Sequence, residues 1–128
     1  MEKYDNYVNR KEWVHHFMKF DKDQLYEMNM GVLCGLSLEQ ISLYADPKMN
    51  YLCMRHIKES LLELMDIEKV KVFANPNLSY FHMVMLKNAF NQGLSVEEVK
   101  PVANPRLDYN QMKDMIDLLL KQHKSIHD

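Results

Sequence analysis

The histidines and cysteines of the chain could bind a metal ion or take part in acid–base and thiol chemistry. His123 and His127 are four residues apart, a spacing that suits one metal ion on a helix, but the polar segment KQHKSIHD offers no third ligand beside them. Cys34 and Cys53 are nineteen residues apart and neither belongs to a CxxC motif. We therefore predict no metal site and interpret both cysteines as buried structural thiols of a protein in a reducing compartment.

The motifs of common enzyme classes are missing from this chain. It contains no GxSxG, no glycine-rich phosphate loop and no HExxH. We therefore expect a protein that is not an enzyme, with no catalytic residues and no cofactor.

Length and charge limit the class of protein further. The 128 residues suit a single domain, and 16 Lys and Arg against 18 Asp and Glu give a net charge of −2. No segment carries the excess of positive charge that binding to a phosphate backbone requires, so nucleic acid is not an expected partner. The longest uncharged run, residues 72–86, is too short to span a membrane, and the N-terminus lacks the apolar core of a signal peptide. We expect a cytoplasmic protein.

A repeat of 29 residues organises the sequence. Residues 35–62 align with residues 93–120 without a gap, and 10 of the 28 positions are identical. Half of that offset places a third copy between these two, and a fourth, more divergent copy precedes them. We predict one domain over residues 1–128 with repeats at about 8–36, 37–65, 66–94 and 95–123, and a polar C-terminal tail over 121–128.

Each repeat carries the signals of two helices. Side chains that can cap a helix precede each apolar stripe, and an Ala-Asp/Asn-Pro corner separates the two helices of a repeat. The predicted N-caps are Ser37, Asp66 and Ser95 for the first helices, and Asp21, Asn50, Ser79 and Asp108 for the second. Gly35 and Gly93 can end a second helix in the left-handed conformation. Leu64 takes this place before the third repeat, so we expect that helix to end differently.

The pairing of a short helix with a longer one determines the predicted fold. One such pair cannot bury its apolar stripe by itself, whereas stacking against the next copy removes this surface from water. We predict an all-α protein in which four two-helix repeats form a short α-solenoid or a compact helical array.

The repeat pattern resembles one known group of proteins. FDKDQLYEM, GLSLEQISLYADP and GLSVEEVKPVANP share fixed positions that resemble a short helical repeat of small proteins of Gram-positive bacteria and their mobile elements. The third repeat departs from this pattern, because LMDIEKVKVFANP lacks the Gly-Leu-Ser entry. The resemblance carries no catalytic motif. It implies a small cytoplasmic protein that binds a protein partner, and an inhibitor of a host defence system, such as an anti-CRISPR-like blocker, is one example.

The third repeat is unusual on the outward positions of its second helix. The other copies are mostly polar or charged there, and the first copy carries Asp23, Tyr26, Glu27 and Met30. The third copy is largely apolar, and Lys87 is the only charged residue between residues 72 and 94. An exposed apolar patch of this kind is typical of a partner surface. Our candidate partner-binding residues are Tyr80, Phe81, Val84, Met85 and Asn88.

Three arrangements of this patch stay open at the level of sequence. The patch binds a protein partner, it packs against an N-terminal helix around Trp13 and Phe17, or it joins two copies of the chain as a homodimer. The first hypothesis for function is therefore a non-catalytic protein-interaction module. The alternative is a helix-turn-helix-like DNA-binding regulator, because GLSLEQISLYA resembles the opening of such a unit. The helix that follows, YLCMRHIKESLL, offsets its positive charges with carboxylates, which makes it a poor reader of the major groove.

Overall fold

The computed structural model describes residues 19–127, with side chains up to residue 125. This part of the chain is built from α-helices and one 3₁₀ turn and contains no β-strand, which confirms the all-α class. The helices are α1 (Lys22–Leu33), α2 (Leu38–Ser42), α3 (Tyr51–Leu62), α4 (Ile67–Phe73), α5 (Tyr80–Asn91), α6 (Val96–Val99) and α7 (Tyr109–His127), and the 3₁₀ turn Lys100–Val102 follows α6.

The longer helices pack side by side in chain order. α1 contacts α3, α3 contacts α5, and α5 contacts α7. The short helices α2, α4 and α6 each pack against the long helix that precedes them, and α4 also packs against α5 and α6. The core lies between the long and the short helices and draws apolar side chains from both.

Hydrogen bonds from side chains start the helices where the sequence predicts. Each predicted N-cap accepts a bond from a backbone N–H group of the first turn. At four of the starts a glutamine or glutamate three residues later returns a bond to the N-cap backbone. These reciprocal pairs are Asp21 with Gln24, Ser37 with Gln40, Ser95 with Glu98 and Asp108 with Gln111. The caps satisfy N–H groups that have no partner inside the helix.

The Ala-Asp/Asn-Pro corners have one geometry in all three places. The side chains of Asp46, Asn75 and Asn104 each accept a hydrogen bond from the backbone N–H two residues later, over 2.9–3.0 Å. The corner begins earlier than we predicted, so the short helices have five, seven and four residues rather than about eight. The proline-containing corner therefore takes several residues from each helix.

The prediction that α3 ends differently from its counterparts is wrong. Leu64 has a φ of 63°, in the same left-handed region as Gly35 and Gly93. The N–H of Leu64 bonds to the Leu61 carbonyl and the next N–H bonds to the Ser60 carbonyl, as at the two glycines. These bonds outweigh the steric cost of a left-handed leucine, which is about 1 kcal/mol.

The last helix is longer than its counterparts. α7 continues through residues 121–127, which the sequence places in a polar tail. Over residues 19–127, no helix is both long and apolar enough to cross a membrane.

Candidate protein interface

The predicted partner-binding residues differ in how far they reach solvent. Phe81 is 68% exposed and Tyr80 is 40% exposed, and Asn88 is also exposed. Val84 and Met85 are half-buried, and Met85 packs against the core. The structure therefore narrows the candidate surface to the N-terminal half of α5.

An apolar side chain of the neighbouring helix extends this surface. Leu52 on α3 occupies the repeat position of Phe81 and is also exposed. The rings of Tyr80 and Phe81 meet edge to face, with centroids 5.8 Å apart. We call Leu52, Tyr80 and Phe81 the aromatic patch. The same repeat position carries Asp23 on α1 and Asn110 on α7, so the patch is confined to the middle of the row of long helices.

His56 supports the aromatic patch from below. Its ring lies 5.7 Å from the Tyr80 ring in a T-shaped arrangement and 5.7 Å from the Phe73 ring. The Nε2 atom of His56 is buried and has no hydrogen-bond partner in the described part of the chain. Burial lowers the pKa of His56, and the charge of Lys87 lowers it further. The tyrosine ring therefore rests on a neutral imidazole.

A buried cluster of charges ties α1 to α3, and the sequence analysis missed it. The Glu27 side chain is 0% exposed, with one carboxylate oxygen 2.9 Å from Arg55 Nε and the other 2.8 Å from Lys58 Nζ. The placement of Glu27 on an outward position is wrong, because this side of α1 faces α3. A signal was present in the repeat: bases follow the acid by 28 and 31 residues, close to the 29 that separate stacked helices.

Further buried hydrogen bonds surround this Glu27 cluster. The Tyr44 hydroxyl donates to the Glu27 carbonyl over 3.0 Å, and burial together with the nearby Glu27 charge raises the pKa of Tyr44 well above its usual value. The Gln24 amide donates to the carbonyls of Pro47 and Met49 over 3.0 and 2.7 Å. These bonds join α1 to the corner after α2 and so define how α1 sits on α3.

The Glu27 cluster also bears on DNA binding. Arg55 and Lys58 are the cations that α3 would offer to a phosphate backbone, and both are paired with Glu27. The hydrogen bond to Glu27 and its charge raise the pKa of the Arg55 guanidinium. The exposed residues of α3 are Leu52, Glu59 and Leu62, which present no positive charge. α3 therefore lacks the surface of a recognition helix.

The metal and thiol candidates are not brought together. Within the described residues, no group of three His, Cys, Asp or Glu side chains could hold a metal ion. His123 Nδ1 lies 3.5 Å from a Glu98 carboxylate oxygen, while the side chain of His127 falls outside the described residues. Cys53 is buried as predicted, and burial raises the pKa of its thiol. The prediction is wrong for Cys34, which is exposed at the end of α1.

Trp13 and Phe17, against which the patch might otherwise pack, lie outside the described residues. Comparison with protein-family models, with curated proteins and with solved structures finds no match to this chain.

Proposed function

We propose that this chain is a non-catalytic protein-interaction module that binds a protein partner through the aromatic patch. The observation that carries the proposal is the exposure of Tyr80 and Phe81 beside Leu52 on two adjacent helices. Aromatic side chains are enriched at the centre of protein interfaces, because they bury a large area while losing few rotatable bonds.

The lack of charge around the patch supports a protein partner. Lys87 is the only charged residue between residues 72 and 94, and its ammonium is paired with Glu63 over 2.8 Å. Charged residues are depleted at the core of protein interfaces. Binding through this surface depends on apolar burial, so it weakens little as salt is raised, whereas binding to DNA would weaken steeply.

The proposed architecture is a stack of four 29-residue repeats with variable outward residues. The recurring caps, Asx corners and left-handed helix ends support this arrangement. Stacked repeats present extended surfaces on which outward side chains change while the inward ones are retained. In this protein the outward change that stands out is the aromatic patch.

The cellular context is part of the proposal. Two free cysteines, one of them exposed, suit a reducing cytoplasm. The narrower hypothesis of a mobile-element inhibitor of host defence, of the anti-CRISPR-like kind, rests on the sequence resemblance alone.

Photo-crosslinking from the patch tests the proposed function. The photoreactive amino acid benzoylphenylalanine replaces Phe81 in one variant and Leu33 in a control, because Leu33 is a similarly exposed residue outside the patch. Both variants are expressed in the cells that make the protein, irradiated and analysed by mass spectrometry. We expect position 81 to form an adduct with one protein and position 33 to form none with it.

Other results would contradict the proposal in distinct ways. The same set of adducts at both positions would show that position 81 has no specific partner. An adduct that contains only two copies of this chain would assign the patch to a homodimer. Phe81→Glu provides a further control, since its side chain is exposed and its stability should stay within about 0.5 kcal/mol of the native value while the adduct partner is lost.

A further inference from the structure

An apolar groove lies between α1 and α2, away from the aromatic patch on α3 and α5. It has a volume of about 450 Å³, and Leu25, Met28 and Val32 of α1 line it together with Leu38 and Ile41 of α2. Val32 is 55% exposed and Leu38 is 68% exposed. The α1–α2 groove is therefore an open apolar surface built by consecutive elements of the first two repeats.

The residues of the groove occupy positions that are core elsewhere in the protein. Leu61 and Phe90 stand 29 and 58 residues after Val32, and they are 1% and 3% exposed. Phe90 is covered by α4, the short helix that precedes its own helix: the Phe73 ring lies 6.5 Å from the Phe90 ring and Lys69 Nζ lies 5.9 Å from it. In the described part of the chain α1 has a short helix after it, α2, and none before it.

The chain itself supplies a segment at the matching place. A step of 58 residues back from α4 leads to residues 9–15, within the first predicted repeat. From Val8 to Phe20 there are as many residues as from Ser37 to Met49, which is the length of a short helix with its corner. Phe20, directly after this segment, is buried in the core, so the segment is anchored next to α1.

We propose that residues 8–18 of the same chain occupy the α1–α2 groove. The segment carries Trp13 and Phe17, whose spacing of four places two aromatic rings on one side of a helix, and Val14 between them. These side chains are large enough to cover Val32 and Leu38, as α4 covers Phe90. The proposal goes beyond the proposed function, because it assigns the N-terminal segment to the groove and leaves the aromatic patch free for a partner.

The fluorescence of Trp13 provides a direct test, because it is the only tryptophan of the chain. We compare the emission maximum and acrylamide quenching of the full-length protein with those of Leu38→Lys and Val32→Lys. Leu33→Lys is the matched control, since Leu33 is exposed on α1 but does not line the groove. Circular dichroism monitors the helix content of every variant.

The expected result is a native Trp13 emission at shorter wavelength than in concentrated guanidinium. Leu38→Lys and Val32→Lys should shift it to longer wavelength and raise quenching severalfold, while Leu33→Lys leaves both unchanged and all variants keep their helix content. Native emission equal to that of the denatured chain would overturn the proposal, and so would groove variants that leave the emission unchanged.

Two further measurements separate this proposal from its alternatives. If Phe81→Glu shifts the emission and Leu38→Lys does not, the segment packs on the aromatic patch, and both this proposal and the proposed function fail. If light scattering shows a dimer that Leu38→Lys converts to a monomer, a second copy fills the groove. That result overturns this proposal and leaves the aromatic patch untouched.

Discussion

The contact between α1 and α3 is charged at its centre, whereas the contact between α5 and α7 is apolar at the same repeat positions. Glu27 and Lys58 form an ion pair in the first contact. Met85 and Ile116 stand 58 residues later, and Ile116 is buried while Met85 is half-buried against the core. The helices stack in the same order in both places. The stacking therefore does not depend on the chemistry of its central side chains, which are free to differ between repeats.

A second comparison shows how the volume of the core is conserved. Residue 31 of α1 and residue 44 after α2 form a contact in which a small residue meets a large one: a Cβ atom on Gly31 would overlap the Tyr44 hydroxyl. The equivalent buried pairs are Gly31 with Tyr44, Ser60 with Phe73, and Ala89 with Val102. As the second residue becomes smaller, the first becomes larger or gains a methyl group, which is what close packing requires.

Removal of the buried carboxylate should have the largest effect. Glu27→Ala leaves the Lys58 ammonium, whose side chain is only 11% exposed, without its counter-ion. We expect the free energy of unfolding to fall by about 3 kcal/mol in denaturant titrations. The double variant Glu27→Met/Lys58→Ile gives this contact the residues of the α5–α7 contact, and it should return to within about 1 kcal/mol of the native protein. A double variant as unstable as Glu27→Ala would show that the two contacts are not interchangeable.

The next effect concerns the small and large pair of the first two repeats. Gly31→Ala should lower the free energy of unfolding by about 2 kcal/mol, because the new methyl group displaces the Tyr44 hydroxyl from the Glu27 carbonyl. In a Tyr44→Phe background the same change should cost less than about 0.5 kcal/mol, since the hydroxyl is gone and alanine favours the helix. Equal costs in both backgrounds, measured by a double-mutant cycle, would contradict the steric explanation.

A smaller effect should depend on pH. The pKa of His56 in the folded protein lies below its ordinary value of 6.5, so the unfolded chain takes up the proton first as pH falls. The contribution of His56 to stability is therefore complete above about pH 7 and is lost as pH falls below its unfolded pKa. His56→Phe, which keeps a ring against Phe73 and Tyr80, should lose less stability than the native protein between neutral and mildly acidic pH. Parallel curves for the two proteins would rule out His56 as the source.

The smallest effect should be a gain. Leu64→Gly removes the steric cost of the left-handed leucine and adds back some backbone entropy to the unfolded chain, so we expect a net stabilisation of about 0.5 kcal/mol. No packing is lost, because the Leu64 side chain is almost fully exposed. Gly93→Ala at the equivalent position is the converse change and should destabilise by about 1 kcal/mol. Thermal unfolding of the two variants would contradict this if both shifted in the same direction.

The features that could be predicted from sequence depend on interactions between near neighbours in the chain. The caps at Ser37 and Ser95 and the bond from the Asp46 side chain each join residues two or three positions apart. Their residue types therefore carry the information directly. The candidate interface was predicted only in part, because the exposure of Phe81 follows from the repeat but the half-burial of Val84 and Met85 depends on how α5 is rotated against its neighbours.

The sequence by itself determined the all-α class, the helix starts and the corners of this protein, because hydrogen bonds within a few residues specify each of them. Only the tertiary structure decided that Glu27 is buried between Arg55 and Lys58. The same holds for the left-handed conformation of Leu64 and for the opening of the α1–α2 groove. Each of these depends on the angle and distance at which one helix meets the next, and a periodic pattern along a single helix does not contain that information.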